Sequence, residues 1–380
     1  MKIGFLLVIS IVGLSILMVN IGGAADDFEV RGQVTNLGVS QFTWDNSSFT
    51  GFYYDVDKNL GAETLTFTLS DATPSSATLS DQPFANDYSR GVVYRTIAQI
   101  KNFNFKLWGQ YNVMGFLGEA CFVSYDNTVT KSMKDHQEPV AYLYENSQNE
   151  NLMTDEQISR VLIDDNTEQA VTSSNPLKLK EGYALNLKSV DASANTAIVE
   201  LTKNSEVIDN KVVVPSRVNA SMSDRTYYYK ADIGSTAGII QIAVHFKNAF
   251  HAADQNIATV DGVFQLSDKP ISIKANQQYD KMSIRNVDAT AQIITMDNKD
   301  NQIILGKNKD IVLMQNIHIK TAKQDTIDAD NPLRFYIYKL VTAEPKTTDE
   351  GTFATDSTIP KKEETYGVQK PSKATINEGF

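Results

Sequence analysis

The sequence predicts an all-β fold, arranged as two connected β-sandwich subdomains. Apolar residues recur at every second position in many short runs, and polar turn clusters separate those runs. The stretch 179–214 carries the pattern best. Tyr183, Leu185 and Leu187 alternate with polar neighbours, as do Ala197, Val199 and Leu201, which puts each row on one face of a pleated strand. Asp191-Ala192-Ser193-Ala194-Asn195 and Lys203-Asn204-Ser205-Glu206 are turn-forming clusters, so the stretch reads as a three-stranded meander.

The chain opens on Met1-Lys2, an uncharged apolar run from Ile3 to Ile21, and the small residues Gly22-Gly23-Ala24-Ala25. That order describes a secretory signal peptide over 1–25, with a retained anchor as the alternative. Both place the rest of the chain outside the cytoplasm. Phe28 to Val34 forms a short strand, and Trp44, Phe49, Phe52, Tyr53 and Tyr54 suit a strand buried on one face. Leu65, Phe67 and Leu69 alternate with Thr64, Thr66 and Thr68, while 71–89, rich in Ser, Asp and Ala with two prolines, reads as a surface loop. Residues 92–125 are β-like and aromatic.

One short helix is expected near 154–163, connecting the subdomains. Thr154 and Gln157 have the spacing of an N-terminal capping pair, and Ile158, Val161 and Leu162 follow at helical intervals. Strands resume at Tyr227-Tyr228-Tyr229 and at 239–244. Residues 271–319 then echo the meander, with Val287-Asp288-Ala289 corresponding to Val190-Asp191-Ala192, which suggests a weak internal repeat. Arg334 to Leu340 is the last strand. The expected organisation is therefore a first sandwich region over 26–215, a second over 216–341 with strands open to exchange between them, and a disordered polar tail over 342–380.

Composition narrows the function. A net charge of −11 argues against nucleic acid and anionic lipid as partners. Hydrophobic content of 42% with 17 Phe and 16 Tyr suffices for a packed body. Cys121 is the only cysteine, so no intrachain disulfide can form, and its apolar surroundings predict a buried thiol. Asn46-Ser47-Ser48 and Asn219-Ala220-Ser221 fit the glycan acceptor pattern, making Asn46 and Asn219 glycosylation candidates.

Motifs for chemistry are sparse, and the reading is non-enzymatic with no catalytic residue. Among His136, His245, His251 and His318, only His245 and His251 lie close in sequence, at a spacing that fits no zinc pair. No Gly-x-Ser-x-Gly elbow and no phosphate-cradling glycine loop is present. Asp55, Asp57, Asn59 and Glu63 form the one acidic constellation with alternating oxygen ligands, hence the candidate calcium site. Leu60 stands where such a loop needs glycine, and Thr66 where it needs a bidentate carboxylate, so a plain turn is preferred and no cofactor is required. Trp44, Tyr53, Tyr54 and Trp108 read as packing between sheets rather than as a sugar platform.

Several segments together carry a resemblance. Val30-Arg31-Gly32, Trp44, the run from Phe49 to Leu65, Lys106 to Phe116, Val161 to Asp165, Glu181-Gly182-Tyr183, Asp261 to Gln265 and Arg334-Phe335-Tyr336 resemble the S-layer duplication domain of Methanosarcina-type archaea, in order. The resemblance implies two connected β-sandwiches, glycosylated, that self-associate or join other subunits in a porous acidic sheet at the cell surface. Family members usually carry the domain twice and end in an acidic tether and a membrane helix. This chain carries it once, without those features, so its attachment to the cell is left open. The alternative is a secreted adhesin or carbohydrate-binding module on the same fold.

Overall fold

In a computed structural model, the structure describes residues 27–70, 72–80, 90–128, 141–191, 193, 195–215, 217–252 and 255–342. The signal peptide, His136, the greater part of the 71–89 loop and the tail beyond 342 lie outside them. The described residues are all-β, and their strand pairings are antiparallel.

Four larger sheets and one two-stranded ribbon organise the body. The first sheet runs Asp27–Arg31, Arg334–Thr342, Ile317–Thr321, Asp310–Met314, with Thr35–Asn36 also on Arg334–Thr342. The second runs Gln278–Tyr279, Met282–Asp288, Ile293–Asp297, Arg90–Ile97, Thr64–Leu69, Gln41–Trp44. Trp44, Leu65, Phe67 and Tyr94 of the second sheet share one core with Ile319, Phe335 and Ile337 of the first. In Thr64–Leu69 the threonines are half-buried and Leu65, Phe67 and Leu69 fully buried, as strict alternation requires.

The third and largest sheet takes Thr226–Ile233, Thr236–Ala252, Gln255–Leu266, Gln157–Asp165, Glu119–Asp126, Gln110–Phe116 and Gln99–Asn102 in that order. It is covered on both faces. Ile242, Val244 and Phe246 pack against Tyr183, Leu185, Leu187, Val199 and Leu201 of the meander. Ile240, Ala243 and Phe264 pack with Phe103, Trp108, Tyr111, Phe122 and Tyr125. Burial on both faces explains the apolar run at 239–244, interrupted only by the buried Gln241, which alternation alone would not give. Pairing slips by one residue at Gln241, which lies between Ile240 opposite Lys230 and Ile242 opposite Tyr229. Strands cross residue 215 freely here, since Gln157–Asp165 pairs with Gln255–Leu266, and in the second sheet Ile293–Asp297 pairs with Arg90–Ile97.

The expected helix near 154–163 is absent. A single 3-10 turn, Met153–Asp155, ends at Glu156 with a left-handed φ of 56°, and Gln157–Asp165 is a nine-residue strand. A helix of that length is marginal alone, whereas the strand gains partners in the sheet and buries Gln157, Ile158 and Ser159. Thr154 caps nothing, since its hydroxyl donates to the Asn151 carbonyl. The 71–89 loop also needs correction, because Ala77–Leu79 is a strand paired with Ile303–Leu305 that buries Ala77 and Leu79.

The three expected strands of the meander are Tyr183–Asp191, Thr196–Lys203 and Glu206–Val213, and Leu177–Lys178 adds a fourth at the edge beside Tyr183–Asp191. Its echo holds for one hairpin. Asp191 Oδ1 accepts from Ser193 N at 2.9 Å and Asp288 Oδ1 accepts from Thr290 N at 2.9 Å. Both turns end in a left-handed residue, Asn195 at φ 52° and Gln292 at φ 53°. After this the two diverge. Thr196–Lys203 pairs with Glu206–Val213, whereas Ile293–Asp297 pairs with Arg90–Ile97 and Ile303–Leu305 joins the ribbon.

Glu181-Gly182-Tyr183 fastens the meander to the largest sheet. Glu181 accepts from Ser267 Oγ at 2.7 Å and from Asp268 N at 3.0 Å, and the Tyr183 hydroxyl donates to Asp268 at 3.0 Å. The Lys203 ammonium also binds the Asp268 carboxylate. Burial pushes the Asp268 carboxyl upward, but Lys203 and Tyr183 outweigh it and hold the group below its ordinary range. A depressed carboxyl contributes stability above its unfolded pKa, and that contribution is lost as pH falls through the folded value. Urea-unfolding free energies of wild type and Asp268→Asn are therefore expected to differ at neutral pH and to converge below about pH 4, the ordinary aspartate value. A gap of constant size down into acid would refute this role.

Candidate functional site

The candidate calcium ligands belong to two different arrangements. Asp55 closes a tight turn, with Oδ1 accepting from Asp57 N and Lys58 N, each at 3.1 Å. Its other oxygen meets the Lys101 ammonium at 2.8 Å, so a cation already sits against this carboxylate. Burial pushes Asp55 upward, and Lys101 with the turn N–H groups more than offsets it, leaving the carboxyl below its usual range. Asn59 takes a left-handed φ of 54° and accepts from the Tyr54 hydroxyl at 2.7 Å.

Glu63 turns inward and is completely buried. Its Oε2 accepts from Tyr53 N at 2.7 Å, and its Oε1 accepts from the Tyr94 hydroxyl at 2.8 Å and Gly118 N at 2.9 Å. Burial holds the Glu63 carboxyl above the usual carboxylate range, against the pull of these donors and of Lys339. Close approach makes glycine necessary at Gly118, where φ is +79° and a Cβ would lie 2.1 Å from the Gly51 carbonyl oxygen. The acidic spacing in the sequence is thus divided between a surface turn and an interior tie.

A second polar arrangement escaped sequence reading. Asp164 accepts from Asn104 N at 2.9 Å and from the Tyr111 hydroxyl at 3.0 Å, with Lys101 Nζ at 3.8 Å. Burial raises its carboxyl above the ordinary value despite those partners. Lys101 therefore bridges two carboxylates, Asp55 and Asp164, from positions too remote in sequence to suggest a group.

The glycosylation candidates differ in presentation. Asn219 is exposed at a left-handed φ of 57°, next to Ser221, which caps the short helix Met222–Arg225 in a box with Asp224. Asn46 is half-buried in a turn where the Ser48 hydroxyl donates to Asp45 at 2.9 Å. The histidines hold separate partners. His245 is buried with Nδ1 2.5 Å from Asp261, His251 Nδ1 lies 2.8 Å from Asn256 Oδ1, and His318 stacks on Tyr338.

Of the four aromatic residues expected to pack, the two tryptophans do, whereas Tyr53 is half-buried and Tyr54 is exposed. Trp44 and Trp108 are buried, Trp44 edge-on to Phe67 at 5.2 Å and Trp108 edge-on to Phe103 at 6.1 Å, so neither indole offers a face to solvent. Cys121 is buried, and burial pushes its thiol far above the ordinary range. Among the described residues, no cluster of three or more His, Cys, Asp or Glu side chains is placed to hold a metal ion, and no helix is long and apolar enough to cross a membrane.

Removing the Glu63 carboxylate strands two backbone N–H groups and a hydroxyl in the interior. Glu63→Ala is expected to lose about 3–5 kcal/mol, the scale for unpairing buried polar groups. Chemical denaturation measures it, and a loss below about 1 kcal/mol, typical of a surface change, would contradict the assignment.

Comparison with known proteins identifies the relationship. The chain is 24% identical over 328 residues to the major S-layer protein of Methanosarcina mazei, covering 85% of this chain and 42% of that protein. It is 25% identical over 317 residues to the Methanosarcina acetivorans counterpart, covering 82% and 40%, and 22% identical over 315 residues to that of Methanosarcina barkeri, covering 81% and 39%. It spans about two fifths of the length of these relatives. The S-layer protein family pattern matches residues 33–323, nearly the whole β body, and the chain belongs to that family.

Proposed function

We propose that this chain is a non-enzymatic structural subunit of an archaeal surface layer, exported and held at the cell surface as part of a porous acidic lattice. The family match over 33–323 carries the reading. The packing of the body supports it, since Glu63, Asp164, Glu181 and Asp268 are engaged in joining strands. Lattice formation needs lateral contacts repeated by symmetry, and a head-to-tail contact is what generates extended arrays. Electron microscopy of the purified mature protein tests the proposal. Ordered two-dimensional arrays are expected, whereas monodisperse particles together with glycan-array binding would favour an adhesin.

The 55–63 loop is read as structural. Lys101 at Asp55 and the inward turn of Glu63 support that reading over a calcium loop. Calorimetric titration of chelator-treated protein with calcium is then expected to give no heat that Asp55→Asn removes, and a saturable heat abolished by that change would reverse it.

Of the two glycan acceptors, Asn219 is the more accessible to a transferase. Its exposure on a turn supports this, against the half-buried position of Asn46. Peptide mass spectrometry of the native protein should find the higher occupancy at Asn219, and preferential modification of Asn46 would count against the exposure argument.

A further inference from the structure

An open cleft of about 510 Å³ lies where the segment around Phe105 meets the one carrying Asn219 and Arg225, with His245 and Asp261 at its lining. The volume falls within the range of about 300–1,000 Å³ usual for small-molecule sites. The surface lattice reading does not account for it.

The lining is built to stay in place. His245 and Asp261 come from adjacent paired strands, and the imidazole stacks on Phe105 with ring centroids 4.2 Å apart. Phe105 in turn rests on Gly262, where any side chain would collide with it, since a Cβ would lie 2.8 Å from the Phe105 ring. Three rigid elements thus fix one wall. Leu107, 46% exposed, and Met222 extend the apolar part of the lining.

Arg225 is the group the fold leaves unanswered. Its Nε is buried with no hydrogen-bond partner, and no carboxylate pairs with it among the described residues. The other charged lining groups are engaged, Asp261 by His245 and Lys247 by Glu168 at 2.6 Å. In a chain of net charge −11, a cleft-lining arginine with no acceptor of its own, beside an Asp261 already engaged by His245, is a feature that a ligand would complete. A guanidinium is the side chain best shaped to take a planar carboxylate by two parallel hydrogen bonds.

We propose that this cleft binds an acidic monosaccharide of the uronic acid type. Arg225 takes the sugar carboxylate, the Phe105, Leu107 and Met222 wall takes the ring, and Asp261 meets the hydroxyls. The mixture of an apolar wall with both donors and acceptors suits a hydroxylated ring better than a purely apolar or purely ionic ligand.

Isothermal titration of the full chain with glucuronate tests this, with glucose as the neutral counterpart. Saturable glucuronate binding at least about tenfold tighter than glucose is expected, and Arg225→Met should abolish that preference. Leu107→Glu provides an independent check at an exposed position, where a carboxylate at the mouth should repel glucuronate and weaken it by a similar factor while unfolding curves stay unchanged. Equal binding of the two sugars, no saturable binding of glucuronate, or wild-type affinity in either variant would overturn the assignment.

Discussion

The Glu63 carboxyl group, taken wholly out of water, is the constraint on which the packing of the sheets depends. Taking a carboxylate out of water costs several kcal/mol unless donors replace the lost hydration. Here the replacements come from distant places in the chain. Tyr94 belongs to the second sheet, Gly118 sits at the hairpin turn of the largest sheet, and Lys339 of the first sheet donates to the Leu117 and Gly118 carbonyls at 3.1 and 3.2 Å. Tyr94 also accepts from Leu117 N at 3.1 Å, so the turn 117–118 is held from both sides. Three sheets are therefore registered against one another by a cluster that tolerates little displacement. Gly115 shows how tight it is, since a Cβ there would lie 2.6 Å from the Glu63 carboxylate.

The second tie works on the same principle at a different face. Lys180 exchanges two backbone hydrogen bonds with the buried Gln265 amide, and Glu181 then binds Ser267 and Asp268. The core between meander and sheet supplies most of the attraction but little register, because apolar contact is not directional. The polar groups supply the register. Both ties use carboxylates on turns or at strand starts, where backbone N–H groups have no ladder partner and an acceptor is needed in any case.

Much of the fold is legible in the sequence because one-sided strands write their burial as alternation. Thr64–Leu69 and the meander are cases, and the paired Val-Asp-Ala turns give matching Asx hydrogen bonds at Asp191 and Asp288. Legibility fails where a residue's role is set by partners far along the chain. Thr154 and Gln157 have a helical start signal, yet sheet pairing of Gln157–Asp165 overrides it. Glu63 has the spacing of a metal ligand, but its donors lie 31 and 55 residues away. Arg225 was invisible for the opposite reason, since a lack of partners has no sequence pattern at all.

A chain with a single cysteine, itself buried, has to resist unfolding without covalent bridges. Packing both faces of one broad sheet gives it two cores, one against the meander and one against the aromatic segments, and every covered face removes strand surface from water. The cost is a set of interior polar groups at the sheet junctions, and the answer adopted is to make those groups the fasteners. Ionisable side chains are consequently spent on geometry: Asp55 and Asp164 on Lys101, Asp268 on Lys203, Glu63 on three donors. Among the described residues, these carboxylates are held by donors and cations of the body itself, which fixes the strands they join. The Arg225 guanidinium, whose buried Nε has no hydrogen-bond partner, stands apart from them.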